Sequence, residues 1–207
     1  MERRPAQKEG ERDMGVSKLF TAAARLMAAL ALVAAVIGPV FAQSSGGTQY
    51  SMQEIVDAGH GFFGSTSGGL AKVVERAFES YGLPNGYILG QEGSGAFVAG
   101  LTYGEGSLNT KNAGQHQVFW QGPSLGLDLG GQGSRTMMLV YNLPDVNSLY
   151  DRFAGVSGSA YVVAGVGMTV LVKDDLVLVP IRTGVGARLG INAGYLKLTR
   201  QPTWNPF

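Results

Sequence analysis

The sequence predicts a mainly β protein of the α+β kind: a small, strongly curved, glycine-rich antiparallel barrel with two or three short flanking helices. Two observations carry that reading. From Gly86 onward, apolar residues recur at every second position in one short run after another, which is the period of a strand. Glycine supplies 32 of 207 residues, about twice the average of roughly 7%, and many fall at alternate positions within those runs. With 45% hydrophobic residues and only 8 prolines, the chain is neither disordered nor, lacking a G-X-Y period, collagenous.

Residues 1–42 read as an address rather than as fold. Arg25 precedes an apolar run, "LMAALALVAAVIGPVFAQSS", broken at Gly38-Pro39 and ending in Val40-Phe41-Ala42. This predicts a signal peptide cleaved before Gln43, with Met14 as an alternative start. The run is about 17 residues, the lower limit for crossing a bilayer. Six of the chain's 16 basic residues lie in this leader, leaving ten basic against eleven acidic beyond it. A mature chain near −1 lacks the basic footprint of a nucleic-acid binder. The expected address is the periplasm, with peripheral membrane contact as an option.

Residues 43–50 are a polar, flexible tail, and 51–207 form one barrel domain. "SMQE" at Ser51 is a capping box that opens a helix expected to stop by Gly59 or Gly61. "GFFGSTSGG" is a loop. In "LAKVVERAFESYGLP", Leu70, Val73, Val74, Ala77, Phe78 and Tyr81 make one apolar helical face, and Gly82 and Pro84 end it. Strands follow in "GYILGQE", "GAFVAGLTYG", "SLNTK", "HQVFWQ", "SLGLDLGG", "RTMMLVYN", "SAYVVAGVGMTVLV" and "LVLVPIRTGVGARLGINAGYLKL". Turns fall at Gly93–Gly95, Asn112–Gly114 and Asp174-Asp175. Asp145 caps a third helix, "VNSLYDRF", with Val146, Leu149, Tyr150 and Phe153 on one face. The closing "QPTWNPF" is too proline-rich for a strand; its Trp204 and Phe207 suggest docking on the barrel.

The alternating glycines define the candidate site. In "WQGPSLGLDLGGQGSRTMMLVYN", Gly122, Ser124, Gly126, Asp128 and Gly130 share a face opposite Leu125, Leu127 and Leu129. In the last long strand Arg182, Gly184, Gly186, Arg188, Gly190, Asn192 and Gly194 share one. Bare faces let a sheet bend, let another backbone approach, or floor a ligand groove. Asp128, Arg182, Arg188 and Asn192 are therefore the candidate binding residues, with Asp128 pairing one of the arginines across the cleared surface. The plainer alternative is a structural ion pair.

Catalytic and cofactor signals are sparse. No cysteine is present, so disulfides, thiolate metal sites and cysteine nucleophiles are excluded. His60 and His116 are isolated, so no transition-metal site is expected. "GVGARLG" is one residue too long for a dinucleotide loop, and no P-loop or G-x-S-x-G occurs. Glu92, Glu105 and Asp128 would have to converge in space to make a hydrolase, and each reads more simply as a turn or surface residue. No catalytic residue, cofactor or metal is expected.

From Ser51 to Phe207 the chain resembles the envelope integrity protein A family. The resemblance rests on "DAGHGFFGSTSGGLAKVVERAF", "WQGPSLG", "GSRTMMLVYNLP", "VLVPIRTGVGARLG" and "PTWNPF". It implies a periplasmic small barrel with a role in the cell envelope and no catalytic residue. A second resemblance, over about half the chain, is to SYLF domains, through "YGEG" (Tyr103–Gly106), Trp120–Ser124 and Gly126–Asn142. It implies binding of anionic lipid; in that reading Arg182 and Arg188, on the glycine-cleared strand, would contact the headgroup. The basic N-terminal element of some SYLF proteins has no counterpart, because residues 43–71 contain no Lys or Arg. The leading expectation is a non-enzymatic envelope protein acting through a partner protein or envelope component. A lipid module is the alternative and an envelope hydrolase the weaker one. Oligomeric state is open.

Overall fold

The computed structural model describes residues 47–64, 68–94, 101–123, 134–183 and 194–205. Ten strands run through them: β1 (Gly86–Ser94), β2 (Leu101–Thr110), β3 (Gly114–Pro123), β4 (Ser134–Tyr141), β5 (Arg152–Gly155), β6 (Tyr161–Val163), β7 (Val166–Met168), β8 (Leu171–Lys173), β9 (Leu176–Thr183) and β10 (Tyr195–Thr199). Eight close into a ring in the order β4-β1-β2-β3-β10-β5-β8-β9, and β9 returns to β4 to seal it. Every pairing among the described strands is antiparallel. The hairpin β6-β7 hangs from the far end of β9. The predicted barrel is therefore what forms.

Alternation sorts the apolar side chains into two cores. Ile88, Leu108, Val118, Trp120, Met138, Val140, Leu178, Leu196 and Leu198 fill the lumen. Met137, Leu139, Tyr141, Val179 and Ile181, one residue out of step, face outward and are covered by the helices. Helix α1 (Met52–Phe63) contributes Ile55, and α2 (Leu70–Tyr81) contributes Leu70, Val73, Val74 and Ala77, all fully buried. Each buried Val or Leu stabilises by about 1.5–3 kcal/mol relative to exposure. The helices thus exist for the outer face of β4, β7 and β9.

Helix α1 opens on the predicted capping box. The Glu54 amide donates to Ser51 Oγ at 3.3 Å, and the Ser51 amide donates to Glu54 Oε2 at 2.7 Å. Lys111 closes on Glu54 at 2.8 Å and lies over the Tyr50 ring, which stands edge-on to Tyr87. Tyr50 is thus docked rather than part of a free tail. Ser51→Ala should cost about 1 kcal/mol, read as a lower urea midpoint at unchanged slope.

Four local expectations are corrected. Helix α1 does not stop at Gly59 or Gly61 but runs to Phe63 and ends at Gly64, with φ +97°. Gly59 is instead a contact point: a Cβ there would lie 2.6 Å from Leu70 Cδ2. The third helix shrinks to a 3-10 turn, Val146–Leu149, capped by Asp145 as expected. Phe153 belongs to β5, where it pairs with Leu196 and enters the lumen. Gly93 is a strand residue opposite Tyr103, not a turn.

Candidate functional site

Along β1, Ile88, Gly90 and Glu92 share the lumen face, so a carboxylate points where Ile88 is core. Glu92 is only 7% exposed, and a buried charge needs a partner. Arg182, on β9, supplies it. The guanidinium Nε donates to Glu92 Oε1, and Nη2 donates to Oε2 at 3.1 Å, a two-pronged pair. The Trp120 indole Nε1–H donates to Oε2 at 3.2 Å. Arg182 sits there because β4 aligns Thr136 with Gly90 on one side and Arg182 on the other.

Burial alone would push the Glu92 carboxyl up. The Arg182 charge and hydrogen bonds, with the Trp120 hydrogen bond behind them, outweigh burial and hold it below the usual carboxylate range. The fully buried Thr136 hydroxyl faces this group but lies outside hydrogen-bond geometry.

Glycines make the space for the indole. A Cβ on Gly104 would collide with Trp120 at Cε2, Nε1 and Cζ2, and one on Gly90 would lie 2.6 Å from Cη2. On Gly106 it would lie 2.5 Å from the Leu89 carbonyl oxygen, so bare positions also let β1 and β2 approach. The alternating glycines of 124–133 and 184–193 lie outside the described residues; at Gly90, Gly104 and Gly106 the bare positions seat an aromatic side chain and let two strands approach.

Of the four predicted binding residues, Arg182 is buried and committed to Glu92. Asp128, Arg188 and Asn192 lie outside the described residues. Glu92 is a core residue, not a turn or surface one, because it occupies the lumen parity of β1. Glu105 is on the opposite face of the sheet, so the two glutamates do not converge. His116 packs on its own turn, with Nε2 2.9 Å from the Ala113 carbonyl oxygen.

A second feature went unread in the sequence. The helices leave most of the outer face of β1-β2-β3 uncovered. Three cross-strand rows cross it: Leu89, Ser107 and Gln117; then Gln91, Glu105 and Phe119; then Gly93, Tyr103 and Gln121. One hollow of about 620 Å³ lies between the first two rows and Phe62 of α1. Another of about 790 Å³ lies between the last two rows and the C-terminal segment Pro202–Trp204. They share Gln91 and Glu105 and so adjoin on one face of the sheet as a two-part trough.

The C-terminal segment docks here, though through its backbone. Tyr103 Oη donates to the Trp204 carbonyl at 3.0 Å, and Lys197 Nζ donates to that of Asn205 at 3.2 Å. The Trp204 ring touches Tyr103 edge-on, centroids 5.4 Å apart, yet is 84% exposed. The expected docking is correct for the segment and incorrect for the indole; Phe207 lies outside the described residues. Alternation marks Tyr103, Gln91 and Gln121 as opposite in facing to the lumen residues, and that was the available signal.

The chain is thus a closed eight-stranded antiparallel barrel with two helices on one flank, a lumen packed with apolar side chains of the described strands, and an open trough on another flank. A family model described as envelope integrity protein A matches residues 48–207. The chain belongs to that family. Among solved structures it is similar to a β-barrel-like, uncharacterized protein from Brucella abortus, at 71% identity, with 77% of this chain and 99% of that chain covered and a TM-score of 0.73. Comparison with curated proteins gives no match.

Proposed function

We propose that this is a non-enzymatic periplasmic protein that supports the cell envelope by binding a partner protein or envelope component on its outer surface. Family membership supplies the envelope context. The observation that supports this mode of action is the packing of the described lumen: Trp120 fills the space that Gly90 and Gly104 leave bare, and the Glu92–Arg182 pair is buried beside it. That packing favours binding on the exterior. The anionic-lipid reading loses support because Arg182, one of its two headgroup ligands, is already neutralised by Glu92.

Complementation of a strain lacking the gene tests this. The full chain and a folded Glu92→Gln/Arg182→Met chain should both restore detergent resistance, whereas a chain without residues 1–42 should not. The exported form should begin at Gln43. Rescue by the leaderless chain would refute the periplasmic site of action. Failure of the stably folded double variant would return the function to the lumen. In liposome flotation, equal absence of binding to anionic and neutral vesicles is expected.

A further inference from the structure

We propose that the trough on β1-β2-β3 binds a carbohydrate chain, neutral or N-acetylated, with Trp204 as its aromatic platform and Gln121 as a buried hydrogen-bond donor. This rests on the reading that the protein binds an envelope component and names the chemical class of that component.

Two independent observations converge. Trp204 is 84% exposed although its backbone is fixed to the barrel by Tyr103. An uncovered indole on an anchored backbone presents a large apolar face at a fixed place on the barrel. Gln121 is the reverse case. It is 1% exposed and lines the same hollow, and its Nε2 has no hydrogen-bond partner among the described residues. A buried unpaired amide donor costs about 1–3 kcal/mol. A ligand hydroxyl would relieve that cost once the Gln121 amide, enclosed in the free protein, turns toward the hollow it borders.

The remaining chemistry selects the ligand. The lining offers the amides of Gln91, Gln115, Gln117 and Gln121, the Ser107 and Thr203 hydroxyls, the His116 imidazole and, with Glu92 committed to Arg182, one uncommitted carboxylate, Glu105. Hydroxyl groups, each both donor and acceptor, match that set, while the C–H faces of a sugar ring suit the indole. An anionic phosphate is disfavoured at the centre of the trough by Glu105, the cations Arg135 and Lys197 standing only at the outer ends of the rows. A peptide strand has no place to pair: β1, β2 and β3 each have a hydrogen-bonded neighbour on both sides. The three rows lie about 6.7 Å apart, since each step along a strand face is two residues. That makes a site for a short run of sugars rather than one ring.

The chain holds two tryptophans, and the other, Trp120, is fully buried. Ligand-induced change in emission therefore reports on Trp204. Titration of the full mature chain with soluble cello-, malto- and chito-hexaoses should blue-shift the emission for at least one series, with Kd near about 0.1–1 mM. Trp204→Ala, followed by NMR amide shifts, and Gln121→Leu should each weaken binding tenfold or more. Gln121→Leu should leave Tm unchanged or raised, because it removes an unpaired donor without changing the fold. The proposal is overturned if no oligosaccharide shifts the emission, if binding survives both substitutions unchanged, or if Gln121→Leu lowers Tm by several degrees. Emission shifts produced by anionic vesicles but by none of the sugars would also overturn it. Absence of sugar binding alongside full rescue in cells would remove the carbohydrate site and leave the envelope role standing.

Discussion

Arg182→Met should destabilise the barrel by about 3–5 kcal/mol, a Tm loss of roughly 6–20 °C for a domain of this size. The cost is not the lost attraction alone. Substitution strands the Glu92 carboxylate in a site where both partners are more than nine-tenths buried. Removing both charges with Glu92→Gln/Arg182→Met should recover most of the loss, because the new side-chain amide still accepts from the Trp120 indole and no buried charge remains. The pH dependence has opposite signs in the two chains. In the wild type the folded carboxyl is held low, so its contribution is present above the unfolded value of about 4.3 and is lost as pH falls below it. In Arg182→Met, burial without a cation raises the folded value. That chain should therefore be less stable at pH 8 than at pH 5, relative to wild type. Urea denaturation of the three chains at both pH values checks every part. Equal stability of the single and double variants would show that the pair is not a coupled unit.

Gly104→Ala should cost at least about 3 kcal/mol, the upper end of overpacking penalties. The added methyl enters the volume of a fully buried indole, and the ring cannot retreat without breaking its bond to Glu92. Gly93→Ala, on the same sheet, meets nothing within 4 Å and should stay within about 0.5 kcal/mol. Trp120→Leu opens a cavity and is costly alone, at about 3 kcal/mol. Combined with Gly104→Ala it should cost clearly less than the sum, by about 1 kcal/mol or more, since the methyl then occupies vacated space. If Gly104→Ala matches Gly93→Ala in thermal denaturation, the glycine is not a seat for the indole.

The barrel was legible because both faces of its central strands obey period two: Met138 and Val140 inward, Met137 and Leu139 outward under helices. Helix α2 was legible because its stripe of Leu70, Val73, Val74 and Ala77 is long and uninterrupted. The segment after Asp145 misled for a specific reason. Leu149 and Phe153 are both buried at helical spacing, but one caps the barrel from a 3-10 turn and the other enters it from a strand. Spacing alone does not separate those cases. The Glu92–Arg182 pair spans 90 residues of sequence, and its formation depends on β4 lying between β1 and β9. Half of it was available: Glu92 shares parity with Ile88, and a carboxylate on a core face requires a cation. The trough was not legible, because its residues come from three strands and a C-terminal segment remote from them in sequence.

The strand order also bears on how such a chain acquires its shape. β10 is the last strand in sequence, yet it stands between β3 and β5, pairing Leu198 with Trp120 and Leu196 with Phe153. Until residues 195–199 arrive, β3 and β5 each present a bare edge, open to pairing with another chain. The ring therefore cannot close until residues 195–199 are in place, and a chain clipped before Tyr195 should be left as an open sheet with two pairing-competent edges.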